Sequence, residues 1–214
     1  MSVEVVARGV GRWSLEQGRD PLDLLAAHGW TGEPVRAVRG RGGQVEVHYA
    51  VVRLDRSGAS SPLERSRPGA RVLQRVAAYA LVTDADRLLM SRLSHRVPGA
   101  AGLWTLPGGG VDPGEEPLAT VVREVHEETG QHVVVDGLVQ VQSQRSLEPG
   151  NPHPDQHEDM HAVRLVHRAH CPRPTEARVL EIEGSTGESA WVPLDQLPEL
   201  PLASMVEAAL PYLR

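Results

Sequence analysis

The sequence predicts a mixed α/β protein, and three patterns carry that expectation. Val45, Val47, Tyr49 and Val51 alternate as one buried strand face, and apolar runs at 73–82 and 87–93 read as further strands. In 117–129, apolar residues recur at helical spacing behind a proline. The chain has 214 residues, enough for one domain or one plus a small appendage.

Each element follows from local chemistry. Val3, Val5 and Ala7 make a short strand. Asp20-Pro21 supplies an N-cap and a favoured first helical residue, and Leu22, Leu24, Leu25 and Ala26 follow. Gly29 is suited to close that helix in the left-handed conformation. Residues 34–39, a Gly-rich turn at 40–43 and residues 45–54 read as a hairpin, so the RGRGG run at 39–43 is a turn and not an RNA-binding tract. Residues 1–55 are thus a small N-terminal α+β segment, marginal alone. It is expected to pack on the main domain or on a second copy in a homodimer. Residues 56–70, rich in Ser, Gly, Pro and Arg, read as a linker.

The main domain is expected over 71–214. It begins with strands at 73–82, 87–93 and 103–106, with a turn at 84–86. A helix follows at 117–129, then a long strand at 133–144 with a turn near Gly137 and a loop at 148–154. Strands at 160–170, 178–183 and 190–192 and a last helix at 202–210 complete it.

Composition narrows the function. No apolar run approaches the ~18 residues of a membrane span, and the N-terminus lacks the basic and apolar regions of a signal peptide. A single cysteine, Cys171, rules out an intrachain disulfide framework and a Cys-rich zinc ribbon, so a reducing cytoplasm is the expected home. The net charge of −6 argues against a nucleic-acid partner. Residues 71–214 carry 12 Arg against 20 acids, a balance suited to holding cations.

The helix at 117–129 carries the chemistry. Leu118, Val121, Val122 and Val125 form one apolar stripe. Glu124, Glu127 and Glu128, at i, i+3 and i+4, make neighbouring carboxylates that repel one another. Glu127 and Glu128 also lie at the negative end of the helix dipole. A divalent cation relieves both penalties, and oxygen ligands suit Mg²⁺ or Mn²⁺. The plain alternative is a solvated acidic face. Upstream, Leu106-Pro107-Gly108-Gly109-Gly110 forms a loop whose backbone can approach a metal or phosphate closely.

Residues 109–131 resemble the Nudix box, G-x5-E-x7-R-E-U-x-E-E-x-G-U, where U is a bulky apolar residue. Gly109, Glu115, Arg123, Glu124, Val125, Glu127, Glu128 and Gly130 fall on pattern, and Gln131 departs from it at the final apolar position. That departure bears on local packing and not on chemistry. The resemblance implies a Nudix α/β/α sandwich with a mixed sheet over 71–214. It also implies Mg²⁺-dependent (or Mn²⁺-dependent) pyrophosphate hydrolysis of a small nucleotide substrate, a nucleoside diphosphate linked to another group.

Carried onto this chain, the resemblance makes Glu127 and Glu128 metal ligands and Glu124 a third ligand or the general base. The carbonyl of Gly108 or Gly109 completes the shell. Arg123 pairs with Glu115 to orient the cluster, or contacts substrate phosphate directly. Glu158 and Asp159 are candidates for a further ligand or base, with plain loop charges as the alternative. Arg92 and Arg96 are candidates for phosphate contacts, with a surface role as the alternative. Neither the proline about 15 residues after the box, found in some relatives that cleave ADP-ribose, nor the nearby tyrosine of others that cleave dinucleoside polyphosphates is present.

A rival motif is His157-Glu158-Asp159-Met160-His161, an H-E-x-x-H pattern that binds Zn²⁺ in peptidases when it lies on a helix. His153 with His157 and His161 makes a second candidate metal patch. A third alternative is a catalytically silent ligand-binding module that reuses the fold.

Overall fold

A computed structural model describes residues 1–55, 66, 68–149 and 157–213. It divides into two compact units. The first comprises 1–77, 110–117 and 141–165, and the second 78–109, 118–140 and 166–214. The linker expected at 56–70 and the loop expected at 148–154 lie mostly outside the described residues, as does His153.

The first unit opens with β1 (Val3–Ala7), β2 (Gly11–Ser14), α1 (Pro21–Ala27), β3 (Trp30–Arg39) and β4 (Val45–Arg53). These strands form a sheet in the order β2-β1-β4-β3, with β1 parallel to β4 and β3-β4 an antiparallel hairpin. Helix α1 forms where the sequence places it. The Asp20 carboxylate accepts from Leu22 N at 2.8 Å, Pro21 occupies the first turn, and Gly29 ends it at φ +82°. Strand β2 is not foreseen. Its residues lie partly open and carry no apolar alternation, so the segment is β-β-α-β-β. Val3, Val5, Val45, Val47, Leu24 and Leu25 are buried in this unit.

The remaining elements are β5 (Arg71–Asp84), β6 (Arg87–Leu93), β7 (Trp104–Thr105), β8 (Gly108–Gly110), α2 (Pro117–Thr129), β9 (Val134–Pro149), β10 (His157–His170), β11 (Thr186–Pro193) and α3 (Ser204–Ala209). The second sheet runs β11-β6-β5-β10-β9, with β7 on β6 and β8 on β5. Pairing is antiparallel in β5-β6 and β6-β11. The second unit's core gathers Leu81, Leu88, Met90, Leu106, Val166, Val192 and Val206. The α/β class holds, and no helix among the described residues is long and apolar enough to cross a membrane.

Four local expectations are corrected. Gly137 lies inside β9 and makes no turn. Residues 178–183 are not a strand; the amides of Arg178, Leu180 and Glu181 donate to the Thr129 and Glu127 carbonyls, which the end of α2 leaves without intrahelical donors. The stripe on α2 is narrower than the periodicity implies. Val121 and Val125 are fully buried, but Leu118 and Val122 remain 46% and 42% exposed. Finally, residues 157–161 are strand in β10, so the H-E-x-x-H residues are not on a helix turn.

Candidate active site

Helix α2 begins at Pro117 and its carbonyl end meets Gly130, whose φ of +70° only glycine adopts without strain. Its inward face carries Val121, Val125 and, one turn on, Glu128. Glu128 is 2% exposed. A buried carboxylate must be fully hydrogen-bonded, and this one is. Oε2 accepts from Ser91 Oγ and Gly108 N, both at 3.0 Å, and Oε1 accepts from Thr186 Oγ1 at 2.5 Å. Burial pushes its carboxyl up to about 7, against those three bonds, which favour the ionised form.

Gly108 is shaped for this contact. At φ +146° its N–H turns toward Glu128, and a Cβ there would run into the Ala78 carbonyl and lie 2.6 Å from Tyr79 Cα. Next to it, Gly109 faces Glu124. A Cβ on Gly109 would come within 2.5 Å of the Glu124 carboxyl. The absent side chain is therefore what lets backbone and carboxylate share one small space. Burial also raises the Glu124 pKa, as do the Glu127 and Glu181 charges, while Arg123 lowers it.

Arg123 binds the other two glutamates of the cluster. Its Nη1 donates to Glu124 Oε1 at 2.9 Å and to Glu127 Oε2 at 3.0 Å. Two carboxylates thus converge on one positive charge. Among the described residues, no group of three or more His, Cys, Asp or Glu side chains is gathered closely enough to hold a metal ion on its own. The donor set still fits a hard divalent cation. Glu124 and Glu127 bring two carboxylates together, bridged by Arg123 Nη1, and the Gly109 backbone lies against one of them with no Cβ in the way.

The other expected residues are placed as follows. Glu115 lies in the first unit, where its Oε2 accepts from Asp112 N at 3.3 Å. Arg92 donates to the Gly102 carbonyl and pairs with Glu188 at 3.1 Å; Arg96 pairs with Glu183 at 3.0 Å, and both arginines are half open to solvent. Glu158 lies 3.7 Å from Arg71. Asp159 is fully buried, and Arg145 holds both its oxygens through Nε at 2.7 Å and Nη2 at 2.6 Å. Gln17 and Ser66 donate to it as well. The Arg145 guanidinium keeps this carboxyl well below the usual carboxylate range. His161 is buried, with Nδ1 on Gln74 at 3.0 Å and Nε2 on Ser143 at 2.8 Å. Both ring nitrogens are engaged by protein, which together with the strand geometry overturns the zinc-peptidase reading.

Sequence reasoning missed Ser91 and Thr186 as partners of Glu128. Ser91 offered one signal, a hydroxyl closing an otherwise apolar strand run from Leu88 to Met90. Gln131 was expected to disturb local packing, but its amide is buried and satisfied. Oε1 accepts from Thr175 N at 2.9 Å, and Nε2 donates to Thr175 Oγ1 at 3.0 Å and to the Thr129 carbonyl at 3.2 Å. The polar residue at this position ties the 171–176 segment to the end of α2. A separate cleft of about 520 Å³, lined by Arg87, Thr175, Glu176, Ser189 and Trp191 among others, contains none of the α2 glutamates.

Comparison with known proteins agrees with this geometry. The family model described as NUDIX domain matches residues 73–213. An RNA pyrophosphohydrolase from Acidiphilium cryptum (strain JF-5) is 39% identical over 74 residues, 35% of this chain and 40% of that protein. A CMP-5'-(N-acetyl-N-hydroxy-3-aminopropyl)phosphonate hydrolase from Streptomyces rubellomurinus is 30% identical over 125 residues, 58% of this chain and 54% of that protein. The matches therefore span about half or less of these relatives' lengths. Among solved structures, a NUDIX hydrolase from Nitrosomonas europaea is similar in fold, with a TM-score of 0.51 at 20% identity over 65% of this chain and 87% of that one.

Proposed function

The chain belongs to the NUDIX family, and on that premise we propose that it is a pyrophosphohydrolase that uses Mg²⁺ or Mn²⁺ and acts on a small nucleotide substrate, a nucleoside diphosphate linked to another moiety. The observation that carries this reading is the pairing of the Glu124 and Glu127 carboxylates, bridged by Arg123, beside the Cβ-free backbone of Gly109. The relatives named as pyrophosphohydrolase and CMP-phosphonate hydrolase support the class of bond cleaved.

A bound divalent ion supplies charge neutralisation on the phosphoryl oxygens and lowers the pKa of a coordinated water. Glu124, Glu127 and the Gly109 backbone are the groups that would hold it, while Glu128, the third carboxylate of the helix, is already engaged by protein donors. The chain's residues do the rest. Arg123 keeps the Glu124 and Glu127 carboxylates turned toward each other against their repulsion. Ser91, Thr186 and the Gly108 amide fix the Glu128 carboxylate and with it the last turn of α2. Glu124, whose pKa burial raises, is suited to take the proton of the attacking water. That water adds to one phosphorus, and the P–O–P bridge breaks with the leaving phosphate as the departing group. Glu115 holds the 112–115 turn by accepting from Asp112 N. Arg92 and Arg96 reach the substrate phosphates only by giving up Glu188 and Glu183.

The test is a panel of nucleotide sugars, ADP-ribose, NAD(H), dinucleoside polyphosphates and NTPs with Mg²⁺, the products separated by chromatography. Cleavage at a pyrophosphate that stops without the metal and in Glu128→Gln supports the reading. Metal binding with no turnover on the whole panel favours the silent binding module instead.

A further inference from the structure

Residues 1–55 lie outside the segment that the family accounts for, yet they hold the loop that enters the catalytic helix. Strand β3 is the last strand of its sheet, which leaves alternate N–H groups without a ladder partner. Its final residue, Arg39, uses that freedom. Arg39 N donates to Glu116 Oε2 at 2.9 Å, and Arg39 Nη1 donates to the Gly114 carbonyl at 2.8 Å. One residue therefore grips the loop at two points, by backbone and by side chain.

The gripped segment is built to be held. Asp112-Pro113-Gly114-Glu115 closes with Glu115 N on the Asp112 carbonyl at 3.0 Å, and Gly114 has φ +93°. Pro at the second position and a positive-φ Gly at the third are the marks of a type II turn. Such a turn points the Gly114 carbonyl outward, and Arg39 takes it. Arg39 is itself fixed, because Gly40 N closes the hairpin turn on the Gln44 carbonyl at 2.8 Å and Arg39 pairs with Val45. On the other side, Val111 N donates to the Val76 carbonyl at 3.0 Å. Residues 110–117 accordingly belong to the same compact unit as the N-terminal sheet, and not to the unit that holds the rest of the helix.

We infer that Arg39 is a positioning residue for the hydrolase, by which the N-terminal segment sets the path of the 112–116 loop and hence the placement of Glu115. The inference rests on the hydrolase reading for its kinetic consequence, but the grip itself is readable without turnover. A loop displaced by about 1 Å far from the reacting atoms lowers chemistry substantially while leaving substrate binding largely intact.

The experiment compares Arg39→Ala, Arg39→Lys and the control Arg36→Ala, an exposed neighbour on β3. Three quantities are read: kcat and KM on the best substrate of the panel, melting temperature, and hydrogen exchange of the Glu115 amide. The expectation for Arg39→Ala is a kcat lower by about tenfold with KM within about twofold. Glu115 exchange is faster, and the melting temperature and Arg36→Ala are unchanged. Arg39→Lys, which keeps a cationic donor, recovers part of both losses. Wild-type kcat and exchange in Arg39→Ala overturn the inference, and so does acceleration of exchange throughout the chain with a lowered melting temperature. If the wild-type protein turns over nothing, the hydrolase reading fails, and exchange alone decides the grip: faster at Glu115 upholds it, unchanged overturns it.

Discussion

Replacing Arg145 by Leu removes the partner of a carboxylate that has no access to water. Asp159 is fully buried and holds the Arg145 guanidinium through both oxygens. Breaking a buried pair by removing one member costs about 3–5 kcal/mol, because the other charge stays buried. Gln17 and Ser66 still donate to Asp159, and a hydrogen bond to a charged group is worth about 1.5–3 kcal/mol, so the lower end of that range, about 3 kcal/mol, applies. The assay is urea unfolding followed by the fluorescence of the chain's four tryptophans. Asp159→Asn on the Arg145→Leu background recovers much of the loss by removing the stranded charge. The pH dependence has a definite sign. Arg145 holds the Asp159 pKa below its unfolded value of about 3.9, so the pair's contribution is full above that pH and is lost as pH falls through the folded value. In Arg145→Leu this acid-side loss shrinks. A loss below about 1 kcal/mol at pH 7, within the range of an ordinary exposed pair, refutes the argument, as does an unchanged acid-side slope.

Three further outcomes follow from the geometry. Gly108→Ala puts a Cβ against the Ala78 carbonyl at a φ only glycine tolerates, and thermal melting should show a loss of at least about 2 kcal/mol, with activity falling as Glu128 loses its amide donor. Gln131→Leu, which restores the apolar residue of the family pattern, should destabilise by about 1–2 kcal/mol, because the Thr129 and Glu176 carbonyls and the Thr175 amide lose their partner; urea midpoints check it, and a gain in stability contradicts the role assigned to Gln131. Chelation by EDTA should abolish turnover, and added Mg²⁺ or Mn²⁺ should restore it, in a simple dialysis-and-readdition assay.

What the sequence made legible was punctuation. Pro117 and Gly130 bracket α2, and Asp20, Pro21 and Gly29 bracket α1, because caps and positive-φ glycines act locally. Periodicity was less reliable where a polar side chain goes inside. Leu118 and Val122 look like core on a helical wheel, but Glu128 and Thr120 take the buried positions, since donors from β6, β8 and β11 satisfy the carboxylate. The H-E-x-x-H pattern fits helix or strand by spacing alone, and sheet pairing made it a strand. Long-range partnerships such as Arg145 with Asp159, Gln131 with Thr175 and Arg39 with Gly114 depend on tertiary placement and leave no local mark. The box itself was readable because metal and phosphate chemistry demands fixed residue types at fixed spacing.

The most direct test of the account follows the substrate of highest turnover by ³¹P NMR in ¹⁸O-water with Mg²⁺, comparing wild type with Glu124→Gln and Glu127→Gln. The account predicts ¹⁸O on one phosphate of the cleaved bridge, with rates at least about a hundredfold lower in both variants, a loss typical of disturbing a metal site. Wild-type rates in either variant, or label on any atom other than phosphate oxygen, would contradict it.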